Sequence, residues 1–406
     1  MIPTRGSPIT ASTVKSSSRS PQAAVFYSTV RNWGWGAPDY VWPIAAAELA
    51  QRGVPVVAVC RPQILDRPQI RALAEQGVQL FRQPPLVYRR GRLSDLKSIW
   101  LRYASSTRAL RRALRHALRP HYFIEQSGSY DFLDEPLLLD FIESTGATYD
   151  VVFRSNQPKP PMAAEDRRCA TLFLEAASRT LFNSRWTREI TELQLLHRFT
   201  NAAYIQHLVR FPHESPLPWP ADNTLRLASV SRLDCHHKGL DALLQSLALL
   251  PSTLSPWTLD LYGHGPDESY LRQLATVLRL DDRVRFHSAT DDIRGLWTRC
   301  HLLLLVSRYE GLAVSMLEAM ACGRPVLRTP YGGCAEWIVP NETGFVCPAA
   351  EPSLIAQSLA EAMQSSSRWP EMGRAAHARI RRQLTLSPES IFLDPFEHGT
   401  PSAGKP

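Results

Sequence analysis

The 406-residue chain has no apolar run approaching the roughly 20 residues of a membrane-spanning helix. Its longest uncharged aliphatic stretch is the short LLLLV at 302–306, so no segment reads as such a helix. The first 22 residues lack the apolar core of a secretory signal and carry Arg5, Lys15 and Arg19 without an acid; a disordered tail is expected over 1–22. None of the seven cysteines forms a C-x-x-C pair, a usage that fits a reducing cytoplasm and a cytoplasmic protein. Cys235, His236 and His237 are adjacent with no second cluster to complete a site, so they read as a polar loop and no metal is expected. G-x-S-x-G, H-E-x-x-H and the P-loop are absent, which leaves no motif for hydrolase or kinase chemistry. Neither GWG at 34–36 nor YGHGP at 262–266 completes G-x-G-x-x-G.

What is present is alternation. Apolar runs of strand length alternate with amphipathic stretches of helix length, the pattern of parallel sheets with helices on both faces. Strands are expected at 23–30, 54–60, 78–81, 122–126, 150–155, 180–184 and 203–209. Pro212, Pro216, Pro218 and Pro220 then forbid regular structure. A second alternating set follows, with strands at 225–231, 258–263, 284–288, 301–307, 324–329 and 344–347. The expectation is an α/β chain of two doubly wound, Rossmann-like domains, at 23–211 and 225–385, joined by a proline-rich linker at 212–224. A disordered tail is expected at 386–406. Ligands of such sheets bind beyond the carboxyl ends of the strands, which makes the interdomain cleft the default site.

The run HLLLLVS is too apolar for a half-exposed strand, and it delivers SRYEG to its carboxyl end. Glu310 therefore stands in a loop at the mouth, and Glu318 in the helix that follows. With a helix start near Leu312, Glu318 lies roughly 9 Å further along the axis. Free N–H groups of the first turn, near Gly311 and Leu312, form an anion site between the two carboxylates. Two glutamates at this spacing also fit a solvated loop and a solvated helix face. Arg232 and Lys238, in the loop after the first strand of the same domain, shift the balance, because two fixed cations at a strand's carboxyl end suit a diphosphate. Gly263 and Gly265 add a tight turn at another strand end that allows close backbone approach.

SRLDCHHKG, the Gly263 and Gly265 turn, SRYEG with EAMACGRPV, and the GG-x-x-E segment from Tyr331 to Glu336 followed by TGFV keep their order across Leu227–Pro348. This run resembles the donor domain of the retaining glycosyltransferases of family 4, which have the GT-B fold. The resemblance implies that Arg232 and Lys238 hold the donor diphosphate and Glu318 binds ribose hydroxyls. It implies that Glu310 contacts the transferred sugar, with the N–H groups of Gly311 and Leu312 near the phosphate. The donor would be a UDP- or GDP-linked sugar, used as substrate with no cofactor, and the acceptor a carbohydrate or a lipid-linked molecule. Metal independence fits, since Asp-x-Asp occurs nowhere in the chain.

The first domain resembles the family only loosely. Gly34 and Gly36 stand where the usual glycine-rich loop would approach the acceptor or the phosphate; the alternative is a bare surface turn. Gln126 or Ser127 stands where many members have a histidine near the transferred sugar, and neither is a useful proton carrier at neutral pH. A non-catalytic relative that binds nucleotide sugars is thus a second reading. Eleven bases face Asp95 alone between Arg82 and Arg119. Leu96, Ile99, Trp100, Tyr103, Leu110, Leu114 and Leu118 recur there at helical spacing, so 94–119 is expected to be a basic amphipathic helix. It would either lie on anionic membrane or pack into the core with a solvated basic face. A nucleic-acid protein lacks support, because basic and aromatic readout residues are not interleaved.

Overall fold

The structure is a computed structural model, and it describes residues 20–30, 37–84, 107–128, 130–206, 209, 215–221, 224–384 and 387–397. The chain divides into two units: Met1–Asn183 with Thr187–His207 and Ser387–Pro406, and Ser184–Trp186 with Leu208–Leu386.

The first unit holds β1 (Ala23–Ser28), β2 (Val56–Cys60), β3 (Gln79–Arg82), β4 (Pro120–Gln126), β5 (Thr148–Phe153), β6 (Arg179–Phe182) and β7 (Ala202–Tyr204). They form one sheet in the order β3-β2-β1-β4-β5-β6-β7, every pairing parallel. The central strands are continuous apolar runs because both faces are covered; every residue of β1 and β2 is buried.

In the second unit β8 (Leu225–Val230), β9 (Trp257–Tyr262), β10 (Val284–His287), β11 (Leu302–Leu305), β12 (Val326–Arg328) and β13 (Gly344–Val346) make a parallel sheet. Its order is β10-β9-β8-β11-β12-β13. Leu227, Leu259, Leu261, Leu302, Leu304 and Leu327 fill one face, and Ala228, Leu303, Leu305 and Val326 the other. This period of two along strands buried on both sides turns LLLL into two half-cores rather than one. The order reverses between β8 and β11, so the crevice at their carboxyl ends is the topological switch point where such sheets bind ligands.

Three expectations are corrected. Residues 386–406 are not a featureless tail: Pro388–Phe392 form a 3-10 turn and Asp394–Glu397 a short helix. Phe392 is buried, its ring 5.0 Å from that of Phe123 and 5.7 Å from that of Phe26. Arg179 anchors the segment, donating to Asp394 at 2.8 Å and to the Ile391 carbonyl at 2.7 Å while also holding the buried Asp150. The four apolar residues in IFLDPF outweigh the surrounding proline and serine.

The linker at 212–224 is not a free connector where it is described. Leu217 is buried and donates its N–H to the Cys322 carbonyl at 3.2 Å, and Trp219 packs against His301 and Arg324. Of the helix expected at 94–119, the described part runs only over Arg108–His116, because the chain turns through a left-handed Arg119 into β4. Leu110 and Leu114 pack into the core, and Arg108, Arg112 and Arg115 are exposed. Leu96, Ile99, Trp100 and Tyr103 lie outside the described residues.

Candidate functional site

Arg232 and Lys238 follow β8, and Glu310 follows β11, so the two strands that flank the switch point deliver all three. After β8 the chain enters a one-turn helix, Cys235–Lys238, which Asp234 caps by accepting from the His237 N–H at 3.0 Å. This short helix ends in a left-handed Gly239, where a Cβ would sit 2.4 Å from the Val306 carbonyl oxygen of β11's loop. Lys238 is thereby held against the Glu310 loop.

Lys238 Nζ donates to Glu310 Oε2 at 2.6 Å, and Ser307 Oγ donates to the same oxygen at 3.1 Å. Arg232 Nη2 pairs with Asp234 Oδ2, and His237 Nδ1 lies 3.3 Å from that guanidinium nitrogen and 3.1 Å from the carboxylate oxygen. Burial works against the charge on Asp234, but the His237 hydrogen bonds and the Arg232 charge outweigh it and hold the carboxyl below the ordinary range. Each cation of the mouth thus rests on a carboxylate of the protein.

The Glu310 loop is stapled to the Arg232 loop by backbone and side chain. The His237 carbonyl accepts from the N–H groups of Arg308 at 2.8 Å and Tyr309 at 3.3 Å. The Arg308 fork spans both carboxylate oxygens of Asp241 at 2.7 and 3.0 Å. The sequence gives no local sign of the roles of Asp234, Arg308 and Asp241, and His237 reads only as part of a polar loop, although Asp three residues before His237 is a recognisable cap spacing.

The helix after the loop is Val314–Ala321, two residues later than expected. Its N-cap is Ala313, which makes no side-chain cap bond, and Leu312 and Gly311 lie in the loop just before it. With no side-chain cap, the start of this helix can offer N–H groups to an anion, apart from that of Met316, which donates to the Ala313 carbonyl at 3.2 Å. Glu318 is one turn in, about 6 Å along the axis, and is buried at 2% exposure. The Gly311 carbonyl accepts from the Gly333 N–H at 2.6 Å. At Gly263 and Gly265 the space of a Cβ is filled by this chain's own backbone, 2.0 Å from the Ser231 oxygen and 2.1 Å from the Leu233 oxygen. The glycine turn thus receives the Arg232 loop in the place where close approach of a ligand was expected.

In the first unit Gln126 ends β4 and is fully buried. Its Oε1 accepts from the N–H groups of Gly128 at 2.9 Å and Tyr130 at 3.4 Å, so the side chain's carbonyl closes its own turn and only its amide N–H is left to offer. Ser127 contributes a carbonyl that accepts from Ser155 Oγ at 3.5 Å. Gly34 and Gly36 lie outside the described residues. Among the described residues no three His, Cys, Asp or Glu side chains cluster as metal ligands would.

Residues 219–379 match the family of glycosyl transferases group 1. The N-acetyl-alpha-D-glucosaminyl L-malate synthase of Bacillus anthracis is 32% identical over 139 residues, covering 33% of this chain and 36% of that enzyme. The lipopolysaccharide core biosynthesis glycosyltransferase LpsE of Rhizobium meliloti is 25% identical over 200 residues, 49% of this chain and 55% of LpsE. The chain thus matches 36% and 55% of the length of these two curated relatives. Among solved structures, Anabaena HepE in complex with UDP-glucose aligns with a TM-score of 0.68 at 18% identity, over 91% of this chain and 98% of that one. Sucrose-phosphate synthase from Thermosynechococcus elongatus aligns with a TM-score of 0.68 at 17% identity, over 92% and 97%. Two parallel, doubly wound sheets with these neighbours make the fold GT-B, and the site at the β8/β11 switch point lies within the stretch that carries the family match. The match to the group 1 glycosyl transferases thus covers the greater part of the second unit.

Proposed function

We propose that the protein is a retaining, metal-independent glycosyltransferase that moves a sugar from a UDP- or GDP-linked donor to a carbohydrate or lipid-linked acceptor, in the synthesis of surface polysaccharide or glycoconjugate. The observation that carries this reading is the Lys238–Glu310 pair at the switch point beside Arg232 and an uncapped helix N-terminus. A nucleotide-diphosphate sugar offers each member a ligand: phosphates for the two cations and the N–H groups, sugar hydroxyls for Glu310, and ribose hydroxyls for Glu318. Donor binding then exchanges Lys238 from Glu310 to a phosphate, which releases the carboxylate to accept from the sugar. As the sugar–phosphate bond breaks, charge grows on the leaving diphosphate, and Arg232, Lys238 and the helix terminus stabilise it. The departing phosphate takes the acceptor's proton, so no protein base is required. HepE, solved with UDP-glucose, supports a uridine donor.

Thermal shift against a panel of nucleotide sugars, followed by NMR of the product anomer in the presence of EDTA, tests the reading. A panel that leaves the melting temperature unmoved, or an inverted product, overturns it; binding without hydrolysis or transfer favours the non-catalytic relative. Glu318→Gln is expected to weaken nucleotide binding about tenfold or more, since a carboxylate accepting from hydroxyls contributes roughly 1.5–3 kcal/mol per bond. Calorimetry on both proteins measures this.

A lipid-linked acceptor would bring the basic helix into use. With Leu110 and Leu114 given to the core, Arg108, Arg112 and Arg115 remain exposed, and Leu118 is 70% exposed just beyond the helix. Salt-sensitive flotation with anionic liposomes is expected, and none with neutral ones. The opposite result assigns the helix face to solvent alone.

A further inference from the structure

Four arginines of the described residues are almost wholly buried, and three have their charge answered. Arg61 pairs with Asp39 at 2.6 Å, Arg154 with Glu125 at 2.7 Å, and Arg324 donates to six backbone carbonyls. Arg328 is the exception. Its one hydrogen bond is from Nη1 to the carbonyl of the next residue, Thr329, at 2.9 Å; Nε has no partner, and no carboxylate among the described residues pairs with it. A buried guanidinium in this condition is costly unless something completes it.

Its position says where the completion would come from. Arg328 is the last residue of β12, in register with Leu305 at the end of β11. The next residue, Thr329, is tied to the Glu310 loop: Thr329 Oγ1 donates to the Ser307 carbonyl at 2.6 Å, and Ser307 Oγ donates to Glu310. Arg328, Lys238 and Glu310 all act on one buried thiol, Cys334, which burial first and then the Glu310 charge push up to about 12, against the pull of both cations. Arg328 therefore stands at the carboxyl end of β12 beside the end of β11, one residue from the hydrogen-bonded chain Thr329–Ser307–Glu310, and the helix N-terminus at Ala313 borders the thiol that Arg328 also faces.

We propose that Arg328 is a third cation of the donor site and takes an anionic oxygen group of the nucleotide sugar, either on the diphosphate or as a carboxylate on the transferred sugar. This rests on the donor reading above. It makes Arg328 a specificity residue, because a forked cation fixed by burial favours a planar or tetrahedral oxyanion over a neutral hydroxyl.

Calorimetric titration of the wild type, Arg328→Gln and Arg328→Lys with three probes tests it: a nucleoside diphosphate, the matching neutral-hexose nucleotide and the matching uronic acid nucleotide. Arg328→Gln is expected to bind about tenfold or more weakly. Equal loss with all three probes places the contact on the diphosphate, and loss confined to the uronic acid nucleotide places it on the sugar. Wild-type affinity of Arg328→Gln for all three overturns the proposal while leaving the donor site standing. A wild-type protein that binds none of them overturns the donor reading itself. If Arg328→Gln does not fold, Arg328→Lys decides: about threefold or greater weakening is expected because the fork is lost, and wild-type affinity overturns the proposal.

Discussion

Replacing Arg324 by methionine is expected to destabilise the second unit by about 3–5 kcal/mol, measured by chemical denaturation. The side chain is fully buried, and no carboxylate among the described residues balances it. Its Nε bonds the carbonyls of Trp297 and Cys300, at the end of the Ile293–Arg299 helix; Nη1 bonds those of Cys322 and Gly323, after the Val314–Ala321 helix. Nη1 and Nη2 also reach the carbonyls of Leu217 and Pro218. Two helix carboxyl ends thus supply the negative pole that an acid would otherwise supply. Burial lowers the guanidinium pKa to about 10, which still leaves it charged at neutral pH. Methionine fills part of the volume and orphans the carbonyls. Lysine keeps the charge but cannot fork across so many acceptors, so it is expected to recover only part of the loss. An unchanged denaturation midpoint in Arg324→Met would show that water replaces the guanidinium without cost.

Lys238→Ala is expected to lower kcat by about 10²–10³-fold with the fold intact. The pair with Glu310 is only partly buried, 20% and 12% exposed, and Ser307 still satisfies the carboxylate when the lysine is gone. Stability is therefore expected to stay within about 1 kcal/mol of the wild type. Catalysis should suffer more than binding, because the diphosphate gains charge only as the glycosidic bond breaks and a cation aimed at it acts most strongly then. Steady-state kinetics with saturating donor separates the two effects. A loss confined to KM would make Lys238 a binding residue only. Combining Lys238→Ala with Glu310→Ala gives a coupling energy for the exchange of partners that donor binding requires.

The parts of the fold that were legible in the sequence are those set by local pattern. HLLLLVS announced a strand covered on both faces, and Arg232, Lys238 and Glu310 sit after strands because the alternation of strand and helix leaves them nowhere else. The helix start near Leu312 came out two residues early because Ala313, with no capping side chain, marks no boundary. What stayed illegible depends on partners remote in the chain. Arg324 read only as the first residue of the strand at 324–329, since its acceptors come from segments as far as 107 residues away. Gln126 read as standing near the transferred sugar at a strand end, and nothing local shows that its side chain turns inward to close Gly128 and Tyr130. Composition at 386–406 counted prolines and serines, whereas Phe392 answers to Phe26 and Phe123.

That last contact has a consequence for how the protein is made. Because Ser387–Pro406 belongs with the first unit, the whole second unit is, in chain order, an insertion within the first. The β8–β13 sheet is synthesised in full before Phe392 and Asp394 leave the ribosome. The core residues of the second unit thus all precede Phe392 and Asp394 in the chain, and the first unit must wait, with Phe123 uncovered and Arg179 short of Asp394, until its last piece arrives. The half that begins first is the half that finishes last.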